Sequence, residues 1–227
     1  MNIFYHSFPD SNASSGVSKS ISVFNPLFIH KIATDITIFT SSGDIAAVSI
    51  IRMNNEVLKI VISGPESSGK TTLAQTLSRH FSWPLLAEYA RSYLEENGPS
   101  YTLEDIKKMA AGQMESEISM AAKGQSFFCD TDLMTIRIWL DDKFGLHWPF
   151  LDAHLEAYPA SHYLLLYPDI PWTPDPLRED PGRRAYLFER YLAEIRAIGR
   201  PYTLIRGKAP QRAEQAIRAV EKIRRLQ

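Results

Sequence analysis

The chain has 227 residues, 44% hydrophobic and 22% charged, the composition of an ordinary globular protein long enough to bury one full core. Its 25 Lys and Arg against 26 Asp and Glu leave a formal net charge of -1. No global field therefore draws it to nucleic acid or an anionic membrane, and any anion site must be local. The single cysteine, Cys129, excludes an internal disulfide framework, fits a reducing, cytoplasmic setting, and reads as a buried strand residue rather than a catalytic thiol.

The first 52 residues are Ser-rich, with a turn-rich tract from Asp10 to Ser20 and no clean helical or strand period. Apolar stretches such as Ile21 to Ile29 and Ile45 to Ile51 are interrupted by polar residues. They fall short of the ~20 residues that span a bilayer. No basic flank precedes an uninterrupted apolar run, so no signal peptide is expected. Met53 stands just ahead of a well-patterned region. Residues 1–56 are thus predicted to be a poorly ordered or atypical extension, either dispensable or an over-extended start of the reading frame, and residues 57–227 to be the folded domain.

From Leu58 onward short apolar runs alternate with longer amphipathic ones, the mark of a parallel sheet with crossover helices. Strands are predicted at Leu58 to Ser63, Pro84 to Ala87, Ser126 to Cys129, Tyr163 to Tyr167 and Tyr202 to Ile205. Helices are predicted at Lys70 to Phe81, Thr102 to Lys123, Leu133 to Phe144, Ala185 to Ile198 and Gln211 to Leu226. The second opens on the capping pattern Thr102-Leu103-Glu104-Asp105. The last aligns Ala213, Ala216, Ile217, Val220, Ile223 and Leu226 on one face.

Between the first strand and the first helix, Gly64-Pro65-Glu66-Ser67-Ser68-Gly69-Lys70-Thr71 matches G-x-x-x-x-G-K-S/T without a mismatch. Glycines at 64 and 69 permit backbone angles closed to other residues, so successive N–H groups can turn toward phosphate oxygens. The following helix adds the positive end of its dipole. Lys70 can reach the β- and γ-phosphates, and the Thr71 hydroxyl is placed to ligate Mg2+. The third strand ends Phe127-Phe128-Cys129-Asp130, which puts Asp130 beyond the carboxyl end of a parallel strand, where it can hold Mg2+ through water. Asp132 and Thr135 follow and either face the same crevice or, for Asp132, cap the helix starting at Leu133.

No N-K-x-D or L-S-G-G-Q run is present, and the C-terminal part is short for an AAA-type machine with its own helical subdomain. A small-molecule kinase needs instead a carboxylate near the γ-phosphate and a mobile cover carrying cations. The second strand delivers Glu88, followed by Tyr89-Ala90-Arg91; Glu88 is either the proton acceptor for an attacking hydroxyl or a charge at a helix N-terminus. Residues 168–184 carry five prolines and Arg178, Arg183 and Arg184. They read as a lid whose arginines clamp phosphates, or as a solvated charged loop in which Arg183 or Arg184 pairs with nearby acids. Trp172 within it either stacks on a flat, possibly cationic, ring or anchors the core.

Taken together, Gly64 to Leu73, Glu88-Tyr89-Ala90-Arg91, Asp130-Thr131-Asp132 and the Pro171-Trp172 to Arg178 segment resemble the ribosylnicotinamide kinase family, the kinase half of bacterial NadR proteins, over about residues 57–224. The resemblance implies an α/β P-loop kinase fold, a five-stranded parallel sheet flanked by helices with a mobile lid. It implies ATP and Mg2+ as the donor complex, and nicotinamide riboside converted to the mononucleotide in NAD salvage. By it, Gly64 to Thr72 bind the nucleotide together with Arg183 and Gly207, and Lys70, Glu88, Asp130 and Arg178 act in transfer. Arg91, Asp132, Trp172 and Asp175 join Glu88 on the nucleoside. Residues 1–56 are too few for the nucleotidylyltransferase domain of NadR proteins and show no helix-turn-helix pattern, so the chain is expected to stop at the mononucleotide. A P-loop kinase for another nucleoside or small alcohol, and a nucleotide-gated regulatory ATPase, are the competing expectations.

Overall fold

The computed structural model describes residues 57–179 and 181–226, together with two short strands, β1 (Ile38–Phe39) and β2 (Ile45–Ala46), which pair antiparallel. Otherwise the expectations for residues 1–56, like Asp180 and Gln227, lie outside the described residues.

Five strands form the central sheet: β3 (Lys59–Ser63), β4 (Leu85–Leu86), β5 (Phe127–Asp130), β6 (His162–Leu166) and β7 (Tyr202–Ile205), in the order β4-β5-β3-β6-β7 and all parallel. This is the predicted sheet, with ends shifted by at most one residue. One shift matters: β5 runs through Asp130, so that carboxylate is the last residue of its strand rather than the first of a loop. Parallel strands need helical crossovers, and these supply α1 (Lys70–Phe81), α2 (Tyr89–Asn97), α3 (Leu103–Ala121), α4 (Leu133–Phe144), α5 (Pro149–Ala157), α6 (Arg184–Ala197) and α7 (Ala209–Arg224). The capping box predicted at Thr102 is present, with Thr102 and Asp105 satisfying each other's amides. Leu226 is the exception on the predicted α7 stripe: it falls past the helix end and is 78% exposed. No helix among the described residues is long and apolar enough to cross a membrane.

Strand β3 is buried on both faces, and its alternating side chains sort the core into two layers. Ile60 and Ile62 pack with Leu73, Ala74 and Leu77 of α1 and with Ala216 and Val220 of α7. Val61 packs on the other side, with residues of α2 through α6. Lys59 is also wholly buried, an unusual place for an ammonium group. Its Nζ donates to Glu117 Oε2 of α3 at 2.6 Å and to Tyr158 O at 3.0 Å, and His154 Nε2 meets the same carboxylate at 3.0 Å. Burial alone would lower the Lys59 pKa, but Glu117, Asp132 and Cys129 outweigh it and hold it at about 12, so the pair stays ionised.

The sheet also dictates the turn after β3. At Gly64 (φ 136) a Cβ atom would lie 2.8 Å from the Leu166 carbonyl oxygen of β6. Only glycine lets the chain leave β3 this close to its neighbour.

Two outcomes follow from this packing. Lys59→Met, by leaving Glu117 buried without its cation, should cost about 3–5 kcal/mol in urea unfolding. Lys59→Met with Glu117→Leu should cost clearly less than the sum of the two single variants; strict additivity would mean the pair is not coupled. Gly64→Ala, strained in both φ and contact, should lose about 1–3 kcal/mol in the same measurement, whereas wild-type stability would show that β6 can yield.

Candidate active site

Every strand of a parallel sheet ends on the same edge, so the residues after β3, β4, β5, β6 and β7 gather there. The order reverses between β5 and β3, and a cleft opens on that side. Its floor is the loop 64–69 and the start of α1. The loop holds its shape through left-handed residues, Ser67 (φ 52) and Gly69 (φ 82), the latter being the N-cap of α1. The first-turn amides of α1 and the loop amides converge there as an anion cradle. Lys70, half-buried, rests its Nζ on Pro65 O at 3.0 Å.

Glu88 ends the turn after β4 and is the N-cap of α2, yet its side chain makes no capping hydrogen bond. It lines the cleft together with Lys70 and Arg91. Burial raises its pKa, and Asp130 adds to this; Lys70 and Arg91 oppose them but do not win, leaving it at about 7. Asp130, 2% exposed, is likewise raised by burial, against the pull of Lys70 and a hydrogen bond from Thr71. Its Oδ1 is buried with no hydrogen-bond partner. Thr131 just after it adopts φ 66, rare for a β-branched residue, held by its amide on Ile62 O (3.0 Å) and by Cys129 Sγ on its carbonyl (2.8 Å).

The Thr71 hydroxyl and the orphaned Asp130 oxygen are the hard oxygen donors that Mg2+ prefers. Among the described residues no group of three or more His, Cys, Asp or Glu gathers around an ion, so a magnesium ion here would complete its shell with water and phosphate oxygens. The residues present fit that group.

Residues 168–179 and 181–184 lie across the cradle. Thr173 N donates to Ser67 Oγ (2.9 Å), Glu179 N to Glu66 Oε2 (3.0 Å), and Arg184 Nη2 to Ser67 O (3.1 Å) and Ile170 O (3.0 Å). Arg178 lines the cleft, and Asp175 takes Arg91 at 3.1 Å and Leu177 N at 3.0 Å. Asp175 therefore acts on the cleft through Arg91, without lining it.

Four sequence-predicted positions are placed otherwise. Asp132 does not reach the cleft: it caps α4 through Met134 N (3.2 Å), accepts from Tyr163 OH (2.6 Å) and is buried. Arg183 is exposed and pairs with Asp142 at 2.7 Å, away from the loop; its neighbour Arg184 makes the loop contacts. Trp172 sits outside the cleft lining, its ring centroid 6.0 Å from the Arg184 guanidinium. Gly207 (φ 87) lies after β7 and donates to Asp169 Oδ2 at 2.8 Å, outside the cleft lining.

Three features went unread in the sequence. Tyr101 and Trp139, rings stacked at 6.2 Å and 18°, form an aromatic wall of the cleft, and Tyr191 OH donates to Thr135 Oγ1 (3.2 Å) on its floor. Arg212, 3% exposed, donates to Ser68 O, Tyr167 O, Gly207 O and Asp169, joining the loops after β3, β6 and β7. Its signal was present: Arg212, Ala216 and Val220 share a helical face, and a charge on an apolar stripe calls for buried acceptors.

Among known proteins, the trifunctional NAD biosynthesis/regulator protein NadR of Salmonella typhimurium and that of Escherichia coli are each 33% identical over 128 residues, 54% of this chain. The chain spans 31% of the length of these curated relatives. A crystal structure of NadR with NAD and AMP-PNP superposes with a TM-score of 0.60 at 20% identity, covering 78% of this chain and 52% of that one. A deoxyadenosine kinase from M. mycoides gives 0.56 at 13% identity, covering 73% of this chain and 100% of that one, so the fold is that of P-loop kinases. A family model described as an AAA domain matches residues 59–212. The sequence disfavoured an AAA machine with an added helical subdomain, and the match spans only the sheet and its crossovers, ending inside α7. The chain is similar to NadR proteins over part of its length, and it belongs to this AAA-domain family of P-loop NTPases.

Proposed function

We propose that this protein transfers the γ-phosphoryl group of ATP to the ribose 5'-hydroxyl of nicotinamide riboside, giving nicotinamide mononucleotide and ADP, in the cytoplasm. The observation that carries the reading is Glu88, a half-buried carboxylate held at about 7 in the same cleft as the phosphate cradle. A kinase needs a proton acceptor there for the attacking hydroxyl, and the cover over the cradle, by keeping water out, favours an alcohol over hydrolysis. The choice of acceptor rests on the resemblance to NadR, one crystal structure of which is a complex with NR.

In this mechanism the loop amides and Lys70 hold the triphosphate, and Thr71 with Asp130 would hold a magnesium ion. Bound there, it would supply neutralisation of phosphate charge. Glu88, in its ionised form, accepts the hydroxyl proton as the acceptor oxygen bonds to the γ-phosphorus and the bond to the ADP oxygen breaks. Arg91, steadied by Asp175, and Arg178 face the cleft where charge moves in transfer. The 168–184 segment excludes water, which would otherwise compete as acceptor.

Purified protein with Mg-ATP should consume ATP faster when nicotinamide riboside is added, with the mononucleotide identified by mass spectrometry. Turnover with a different nucleoside alone would move the acceptor, and none across a nucleoside panel would favour a regulatory ATPase. Glu88→Gln should lower kcat about 10²–10⁴-fold with AMP-PNP affinity nearly unchanged. Because only ionised Glu88 takes the proton, wild-type kcat/KM for the acceptor should climb as pH rises through about 7, a limb absent from the variant.

A further inference from the structure

The amide of Tyr89, first residue of α2, donates to Gln113 Oε1 of α3 at 3.1 Å. Gln113 is 3% exposed, and its Nε2 donates to Glu117 Oε1 at 3.0 Å. A primary amide has two ends of nearly equal shape and opposite hydrogen-bonding sense. Glu117, ionised against Lys59 and His154, can only accept, so it takes the NH2 end. The carbonyl end is thereby turned toward Tyr89. Gly112, the residue before Gln113, leaves the space that the Tyr89 ring fills: a Cβ there would lie 2.1 Å from the ring.

The consequence falls on Glu88. An N-cap side chain that caps its helix accepts from the second or third amide of the first turn. Glu88 makes no such bond, and the first amide, that of Tyr89, is held from α3. The Glu88 carboxylate is left to the cleft.

We propose, building on the phosphoryl-transfer reading above, that Gln113 is the positioning residue for Glu88: its side-chain carbonyl, oriented by the buried Lys59–Glu117 pair, pins the start of α2 and so aims the Glu88 carboxylate at the acceptor. Gln113 touches neither nucleotide nor acceptor and acts only through Tyr89.

The test uses the full chain with Gln113→Leu and Gln113→Glu. In Gln113→Leu the Tyr89 amide should exchange with solvent deuterium faster by NMR. With Mg-ATP and nicotinamide riboside, kcat should fall about ten- to a hundred-fold while the KM for ATP stays at the wild-type value. Gln113→Glu carries its own signature. Protonated, it can donate to Glu117 and accept from Tyr89; ionised, it sets a second carboxylate beside Glu117, with Lys59 and His154 already engaged and Cys129 and Glu88 close by. Its rate relative to wild type should therefore fall as pH rises, a dependence that packing alone would not give, and this reading serves if Gln113→Leu does not fold. Unchanged Tyr89 exchange in Gln113→Leu overturns the proposal, as do faster exchange with unaltered kcat and a pH-independent ratio for Gln113→Glu. A wild-type chain that phosphorylates no acceptor would instead sink the function proposed above, and exchange at Tyr89 would still decide whether the pin exists.

Discussion

The architecture hinges on one close approach, that of the backbone at Gly64 to the Leu166 carbonyl of β6. A strand that must deliver amides to a phosphate has to turn sharply at its carboxyl end, and here the adjacent strand leaves no room for a side chain. The turn is then fastened from the opposite side. Arg212 reaches from α7 to the carbonyls of Ser68, Tyr167 and Gly207, with Asp169 balancing its charge. A guanidinium presents five donors in a rigid plane, so one side chain fixes three loops relative to one another. Lysine in the same place would hold fewer of them.

On the other side of the cradle the constraint is electrostatic. Two carboxylates, Glu88 lining the cleft and Asp130 buried beside it, both feel Lys70 and Arg91, and burial pushes both acids upward. They are not equivalent. Asp130 closes a strand, is nearly inaccessible and takes a hydrogen bond from Thr71, which suits a metal-side ligand. Glu88 stands at a helix start in partial contact with the cleft and sits near neutrality, which suits proton transfer. In the proposed mechanism, environment separates two chemically similar groups into two roles.

The parallel sheet, its carboxyl edge and the cradle were legible because each rests on local pattern: apolar runs ending in Gly64, Glu88 or Asp130 put those residues on one edge whatever the tertiary detail. Helix α2 was implied only by the residues after Glu88, because just Ala90 and Leu94 of its nine residues are buried, too few to make a period. Helix α5 escaped although Pro149 at its first turn is a start signal. The alternatives left open at Asp132 and Arg183 have a different origin. Whether Asp132 faces the cleft or caps α4 depends on Tyr163, thirty-one positions away, reaching its carboxylate. Whether Arg183 or Arg184 meets the cradle depends on the phase at which α6 begins, and adjacent residues there point to opposite sides.

The two faces of the sheet differ in kind. Beneath α1 and α7 the core is apolar up to its rim, where Arg212 lies. Beneath α3 and α4 it holds Lys59, Gln113, Glu117, Asp132, His154 and Tyr163, joined by hydrogen bonds. Desolvating these groups is costly, and an apolar replacement of equal volume would be at least as stable. What such a network adds is a single arrangement, since a sliding helix would strand several donors and acceptors at once. Gln113 and Glu117 lie on the α3 stripe that also carries Ile106, Met109, Ala110 and Met120, so α3 is held in register by polar contacts where packing alone would tolerate small shifts. The helix so fixed is the one against which α2 begins. The polar face thus lies under the carboxylate that must be aimed, and the apolar face under the loop whose shape its own backbone already determines.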